Sequence, residues 1–86
     1  MKLKSDLITQ NIGGQQFLVS ISGDSFNGIV RNNRTAAFIV DCLKKETTES
    51  EIIDAMCGKF DAPREEISAD VKEIVKKLRS IDAIED

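Results

Sequence analysis

The hydrophobic pattern changes its period near Asn33, and this change limits the folds that the chain can adopt. Before Asn33, apolar and polar residues alternate with the two-residue period of a half-buried strand. After it, apolar residues recur at every third and fourth position, which is the period of an amphipathic helix. Strands that all precede the helices predict an α+β domain with the element order βββααα.

Three strands are predicted in the first third of the chain. Residues 7–12 and 16–21 flank Gly13 and Gly14, which supply the positive φ angles of a tight hairpin turn. Residues 26–31 follow a second turn and form a third strand, in which Gly28 marks a bulge or a close approach of another backbone. The prediction is a three-stranded antiparallel meander.

Three helices are predicted in the remainder. Asn33 is the N-cap of a first helix over residues 34–44. Thr48 and Glu51 form a capping box that begins the second helix, and Gly58 is its expected end. Pro63 lies near the start of the third helix. That helix carries an apolar stripe toward the core and a half-apolar flank beside it: the stripe is Ile67, Val71, Ile74, Leu78 and Ile81, and the flank is Ser68, Lys72, Val75 and Arg79.

Composition limits the chemistry that the chain can perform. The chain has no histidine, which excludes Ser-His and Cys-His nucleophiles, a histidine proton shuttle and imidazole metal ligands. Its two cysteines, Cys42 and Cys57, are too few for a structural zinc site. They are either reduced packing residues or a disulfide between neighbouring helices. We therefore expect a non-catalytic module without a metal or a cofactor.

The chain is expected to be one soluble cytoplasmic domain over residues 1–86. No apolar segment of a signal peptide follows Lys2 and Lys4, and the longest apolar run, from Ala36 to Val40, is far shorter than a membrane span. A three-stranded sheet with helices on one face leaves an edge strand open. Such an edge favours β-augmentation, in which a peptide adds a strand to the sheet.

Two other functions compete with peptide binding. The first is DNA binding, but 12 Lys and Arg against 15 Asp and Glu give a net charge of −3, which opposes contact with phosphates. Nucleic acid is therefore not expected as a partner. The open edge is alternatively a docking surface, either in a homodimer or in a fixed subunit of a larger enzyme. Composition leaves the oligomeric state open between monomer and homodimer.

The order of these elements resembles the PqqD-like family, whose namesake is pyrroloquinoline quinone synthesis protein D and whose wider group is the RiPP recognition element. The resemblance rests on residues 33–43, on residues 48–53, and on Phe60, Asp70-Val71, Leu78 and residues 81–85. The sequence departs from the family pattern at Asn32, where the family usually has leucine, and at Val40, where an aromatic residue is common. We therefore carry over the family's general role and not the pathway of its namesake.

The resemblance implies a winged-helix-like peptide chaperone. Family members bind the leader of a ribosomally made precursor peptide and present it to a modifying enzyme, often a radical SAM protein. They hold the leader as an extra strand between the third strand and the third helix. In this chain the implied peptide-binding residues are Phe26, Asn27, Gly28, Ile29, Val30, Arg31, Ser68, Val71, Lys72, Val75, Leu78 and Arg79.

Overall fold

The computed structural model describes residues 1–20 and 29–86 of the chain. In these ranges, short terminal strands enclose a strand meander and three helices. The elements are β1 (Lys2–Leu3), β2 (Leu7–Ile12), β3 (Gln15–Ser20), β4 (Ile29–Asn32), α1 (Arg34–Cys42), α2 (Glu49–Lys59), α3 (Arg64–Ser80) and β5 (Ile84–Glu85).

The main sheet is antiparallel with the order β2-β3-β4, followed in sequence by the three helices, and this confirms the predicted α+β class. Gly13 and Gly14 adopt φ angles of 59° and 80°, which a two-residue hairpin turn requires. The predicted hairpin is therefore confirmed. β4 extends one residue further than predicted, to Asn32. Residues 26–28 of the predicted third strand lie outside the described residues.

A second, two-stranded sheet was not predicted. Leu3 of β1 is opposite Ile84 of β5 in an antiparallel pair. The Leu3 amide also donates to the Leu43 carbonyl at 2.8 Å, and the Lys4 amide donates to the Ala83 carbonyl at 3.1 Å. β1 thus connects the α1–α2 loop to the segment after α3. Strands of two residues are too short to produce an alternating pattern, so sequence periodicity could not reveal them.

Side-chain caps form at the start of the first two helices, largely as predicted. The Asn33 side chain accepts from the Ala36 amide at 2.8 Å, which confirms it as the N-cap of α1. The Thr48 hydroxyl accepts from the Glu51 amide at 3.2 Å at the start of α2. The Glu51 carboxylate, however, accepts from the Thr47 hydroxyl at 3.4 Å, so the capping box forms in one direction only.

The predicted end of α2 at Gly58 is wrong, because the helix continues to Lys59. Phe60 leaves the helix with an extended backbone, at φ −107° and ψ 137°. Its ring packs edge-to-face on Phe38, with 5.5 Å between the ring centroids. The helix therefore ends where Phe60 turns toward Phe38, and not at a left-handed glycine.

The core lies between the inner face of the main sheet and the three helices. Its largest fully buried side chains are Leu18, Ile39, Val40, Leu43, Ile52, Met56 and Val71. On α3, Ile67, Val71 and Leu78 of the predicted stripe are buried, and Val75 is buried with them. Ile74 and Ile81 are only partly buried, so the apolar stripe of α3 extends beyond the core.

Cys42 and Cys57 are free thiols, each partly buried. Of the two possibilities that the sequence left open, the structure has packed thiols and no disulfide. Burial raises the pKa of the Cys42 thiol, and the neighbouring Asp41 carboxylate raises it further. A raised pKa keeps this thiol protonated and weakly nucleophilic near neutral pH.

Candidate functional site

A groove lies between the end of β4 and the C-terminal half of α3. Its cavity volume is about 400 Å³. One wall consists of Arg31, Asn32 and Asn33, with Ala36 of α1 beside them. The other wall belongs to α3 and its end, and consists of Ile74, Lys77, Leu78, Ser80 and Ile81.

The α3 wall is mainly apolar. Leu78 is 4% exposed and forms the base of this wall, whereas Ile74 and Ile81 retain part of their surface. Ile74 and Leu78 share one face of α3 because they follow its helical spacing, and Ile81 continues that face directly after the helix ends. Partly buried aliphatic side chains beside a strand end are suited to contact an apolar side chain of an extended peptide.

Buried polar groups hold the β4 wall in place. The Asn32 amide, 8% exposed, donates to the Gln16 side-chain oxygen at 2.8 Å. The Gln16 amide in turn donates to the Asp41 carboxylate at 3.0 Å. This chain of hydrogen bonds connects β4, β3 and α1, so it fixes the strand end against the helix that borders the groove.

The mouth of the groove carries positive charge. Arg31 is exposed and forms no ion pair within the described ranges. Lys77, on the opposite wall, is paired with Glu73 at 3.3 Å between Nζ and Oε1. Arg31 is therefore the cation that is available to an acidic group of a ligand.

Arg31 also lines a second cavity of about 430 Å³ on the other side of the β4 end. Its remaining lining is mostly polar, with Gln16, Arg34 and Asp41 among its residues. Asn32, Gln16 and Asp41, which are joined by hydrogen bonds, all line this second cavity, and Asn32 also lines the groove. This second cavity offers less apolar surface to a peptide side chain than the groove does.

Two of the residues implied by the family resemblance, Arg31 and Leu78, line the groove. Ile29 and Val30 belong to β4, where they pair with Val19 and Leu18. Phe26, Asn27 and Gly28 lie outside the described residues.

The other implied residues of α3 lie away from the groove. Ser68, Lys72, Val75 and Arg79 are between about 100° and 160° from Ile74 around the helix, at 100° per residue. Val71 and Val75 are buried in the core. Arg79 donates to both carboxylate oxygens of Asp86, at 2.8 and 2.9 Å, and this pairing lowers the pKa of Asp86. Peptide contacts of these residues stay a prediction.

Seven groove residues were not among the predicted site residues: Asn32, Asn33, Ala36, Ile74, Lys77, Ser80 and Ile81. Ile74 and Ile81 were assigned to the core stripe of the third helix because they fit the helical period. Their partial exposure shows that the stripe is wider than the core that covers it. The available signal in the sequence was the length of the apolar stripe of α3, which has five members in a domain of only 86 residues.

We expect Gln16→Leu to lower the free energy of unfolding by about 1–3 kcal/mol, because it leaves the buried Asn32 amide without its acceptor. The double variant Gln16→Leu/Asn32→Leu should recover most of that loss, because no buried donor then remains unsatisfied. Urea denaturation followed by circular dichroism measures both. Equal destabilisation in the single and double variants would contradict the proposed role of this hydrogen bond.

The described residues hold no group of three or more Cys, Asp and Glu side chains arranged to bind a metal ion. None of the helices in the described ranges combines the length and the hydrophobicity needed to cross a bilayer.

Two solved structures share this fold. One is described as TbiB1 in complex with the TbiA(beta) leader peptide; it has a TM-score of 0.83 and 18% identity, over 99% of this chain and 95% of that one. The other is described as lasso peptide synthetase B1 complexed with the leader peptide; it has a TM-score of 0.77 and 16% identity, over 95% of this chain and 93% of that one. No curated protein matches the sequence.

The sequence model of one protein family matches most of the chain. The family is described as coenzyme PQQ synthesis protein D (PqqD), and the match covers residues 15–84. These residues include the main sheet from β3 onward and all three helices. The resemblance inferred from the order of sequence motifs is thereby confirmed, and the chain belongs to the PqqD family.

Proposed function

We propose that residues 1–86 form a non-catalytic recognition domain that binds the leader segment of a ribosomally made precursor peptide. The leader adds as a strand along β4 and places apolar side chains in the groove against α3. The domain works in the cytoplasm and presents the bound precursor to a peptide-modifying enzyme, such as a radical SAM protein. The observation that carries this proposal is the partly apolar groove of about 400 Å³ beside the end of β4.

The free edge of β4 supports strand addition. Among the strands of the described ranges, β4 pairs with β3 only, so its other edge has no strand partner there. An edge strand presents unpaired N–H and C=O groups, which an extended peptide can satisfy. The two structures of similar fold were both determined with leader peptides, which further supports this choice of ligand.

The contacts that β4 and the groove offer to a peptide correspond to moderate affinity. About four backbone hydrogen bonds at roughly 1 kcal/mol each, and one or two buried apolar side chains at about 1.5–3 kcal/mol each, give a gross gain near 6–10 kcal/mol. Ordering the peptide subtracts several kcal/mol. The upper expectation is therefore a micromolar dissociation constant, which corresponds to about −8 kcal/mol.

Titration of the ¹⁵N-labelled chain with a leader peptide tests the site. The probe is the leader of the precursor whose gene neighbours the gene for this chain. We expect the largest amide shifts at residues 29–33 and 74–81, since these segments form the groove walls. Amides of residues 49–57, on α2, should change little. An absence of shifts at residues 29–33 would refute strand addition at β4.

The identity of the modifying enzyme is a separate part of the proposal. The family resemblance favours a radical SAM enzyme, and one solved structure of similar fold is described as lasso peptide synthetase B1. An enzyme that requires this chain should modify the full precursor faster when the chain is present. The chain should not change the rate at which the enzyme modifies a precursor that lacks its leader. A rate that is independent of the chain with the full precursor would argue against presentation.

A further inference from the structure

The outer edge of the main sheet, opposite the groove, has an unusual surface. Among the residues whose side-chain burial the structure describes, 1–20 and 31–86, Ile8 and Ile12 are the exposed large hydrophobic residues, at 39% and 62% exposure, and both belong to β2. With Gln10 they occupy one face of that strand, because side chains on a strand alternate. Val19 and Phe17, their neighbours across the β2–β3 register, are partly buried on the same face. The apolar patch is therefore continuous across two strands.

β2 also lacks the usual protection of an edge strand. In the described sheet it pairs with β3 alone. Edge strands are normally protected from pairing with another chain by charged residues, proline or bulges. Residues 7–12 contain no charged residue and no proline, although 31% of the chain is charged. The edge is thus open to another strand, and it carries no charge that would select an oppositely charged partner.

The sequence of β2 is complementary to itself in one antiparallel register. With a two-fold axis at Gln10, Ile8 of one copy is opposite Ile12 of the other, and Gln10 is opposite itself. The side chains of Ile8, Gln10 and Ile12 then lie on the same face in both copies. In a hairpin closed by a two-residue turn, the backbone groups of Thr9 and Asn11 point away from β3. This register places Thr9 opposite Asn11, so those groups can form the intermolecular hydrogen bonds.

We propose that β2 is a self-association edge, at which two copies of this chain pair in that register to form one six-stranded sheet. Gln10 of each copy meets Gln10 of the other at the two-fold axis, between two Ile8–Ile12 pairs. The peptide groove lies beside β4, at the opposite edge of each three-stranded sheet. Both grooves therefore remain accessible in the dimer, and one dimer presents two of them.

Substitutions at Gln10 test this register because residue 10 faces its own copy. Light scattering over roughly 10 μM to 1 mM should show the wild-type mass rising from 9.5 kDa toward twice that value. Gln10→Lys and Gln10→Glu should each stay monomeric, because like charges then meet at the axis. An equimolar mixture of the two variants should dimerise again, because the introduced lysine of one copy then meets the introduced glutamate of the other.

Ala69→Lys and Ala69→Glu are the matched controls, since Ala69 is an exposed residue of α3 and the net charge changes equally. Both should dimerise like the wild type. Far-UV circular dichroism verifies that each variant is folded. A wild type that stays at 9.5 kDa over the whole range overturns the proposal, and so does a dimer that persists in Gln10→Lys. A mixture that fails to dimerise overturns the register. None of these outcomes depends on the peptide.

Discussion

Leu18→Ala is expected to remove much of the stability of the fold. Leu18 is 0% exposed at the centre of the middle strand, where it pairs with Thr9 and Val30. Truncating a fully buried leucine costs about 2–5 kcal/mol, from lost burial and from the cavity that remains. A chain of this length is stable by roughly 4–13 kcal/mol, at 0.05–0.15 kcal/mol per residue. The substitution should therefore remove a large fraction of the total.

Urea denaturation followed by circular dichroism measures this effect, because the chain has no Trp or Tyr to report by fluorescence. The midpoint should fall and the slope should stay constant. Ile12→Ala, compared at about 10 μM or below where the chain is expected to be a monomer, is the control. It removes the same class of side chain from the same hairpin at a position that is 62% exposed, and it should cost less than about 1 kcal/mol. Equal losses in the two variants would mean that the core does not centre on Leu18.

Local features of the sequence predicted most of the main fold. The hairpin follows from Gly13 and Gly14, whose φ angles suit a primed turn. The start of α1 follows from Asn33, whose side chain satisfies a backbone amide three residues ahead. Each of these features depends only on residues close together in the chain, so it can be predicted from the sequence alone.

Features that depend on contacts between distant residues were not predictable. β1 pairs with β5 from the other end of the sequence, and each strand has only two residues. α2 ends before Phe60, whose ring contacts Phe38 of α1. The prediction of a helix end at Gly58 used only the local preference for glycine at helix ends, which does not include contacts with residues as distant as Phe38.

The groove was predicted at the level of elements but not of side chains. An edge strand and the last helix were both expected to border it, and the structure has a cavity between them. The face of α3 that borders this cavity depends on how far the sheet covers the helix. Helical spacing alone treats Ile74 as a core residue, whereas the structure leaves it partly exposed beside Arg31 and Asn32.

Ile74→Glu is expected to weaken binding of the leader peptide by roughly 10- to 150-fold. Ile74 is a partly exposed aliphatic residue of the groove wall, and burying such a side chain against a ligand is worth about 1.5–3 kcal/mol. A carboxylate there also has to lose its hydration when an apolar peptide residue arrives. Fluorescence anisotropy of a labelled leader peptide measures the dissociation constant. Ile74→Ala should show a smaller loss in the same direction and keeps the result interpretable if the glutamate variant folds poorly.

Lys72→Glu distinguishes the two possible faces of α3. Lys72 is exposed and lies about 160° around the helix from Ile74, on the flank that the family resemblance implied. If the peptide occupies the groove beside β4, Lys72→Glu changes affinity by less than about threefold, which is typical of a screened surface charge. If the peptide instead contacts the flank, Lys72→Glu weakens binding and Ile74→Glu does not. The ratio of the two dissociation constants therefore identifies the face that binds, because both substitutions place the same glutamate on the same helix.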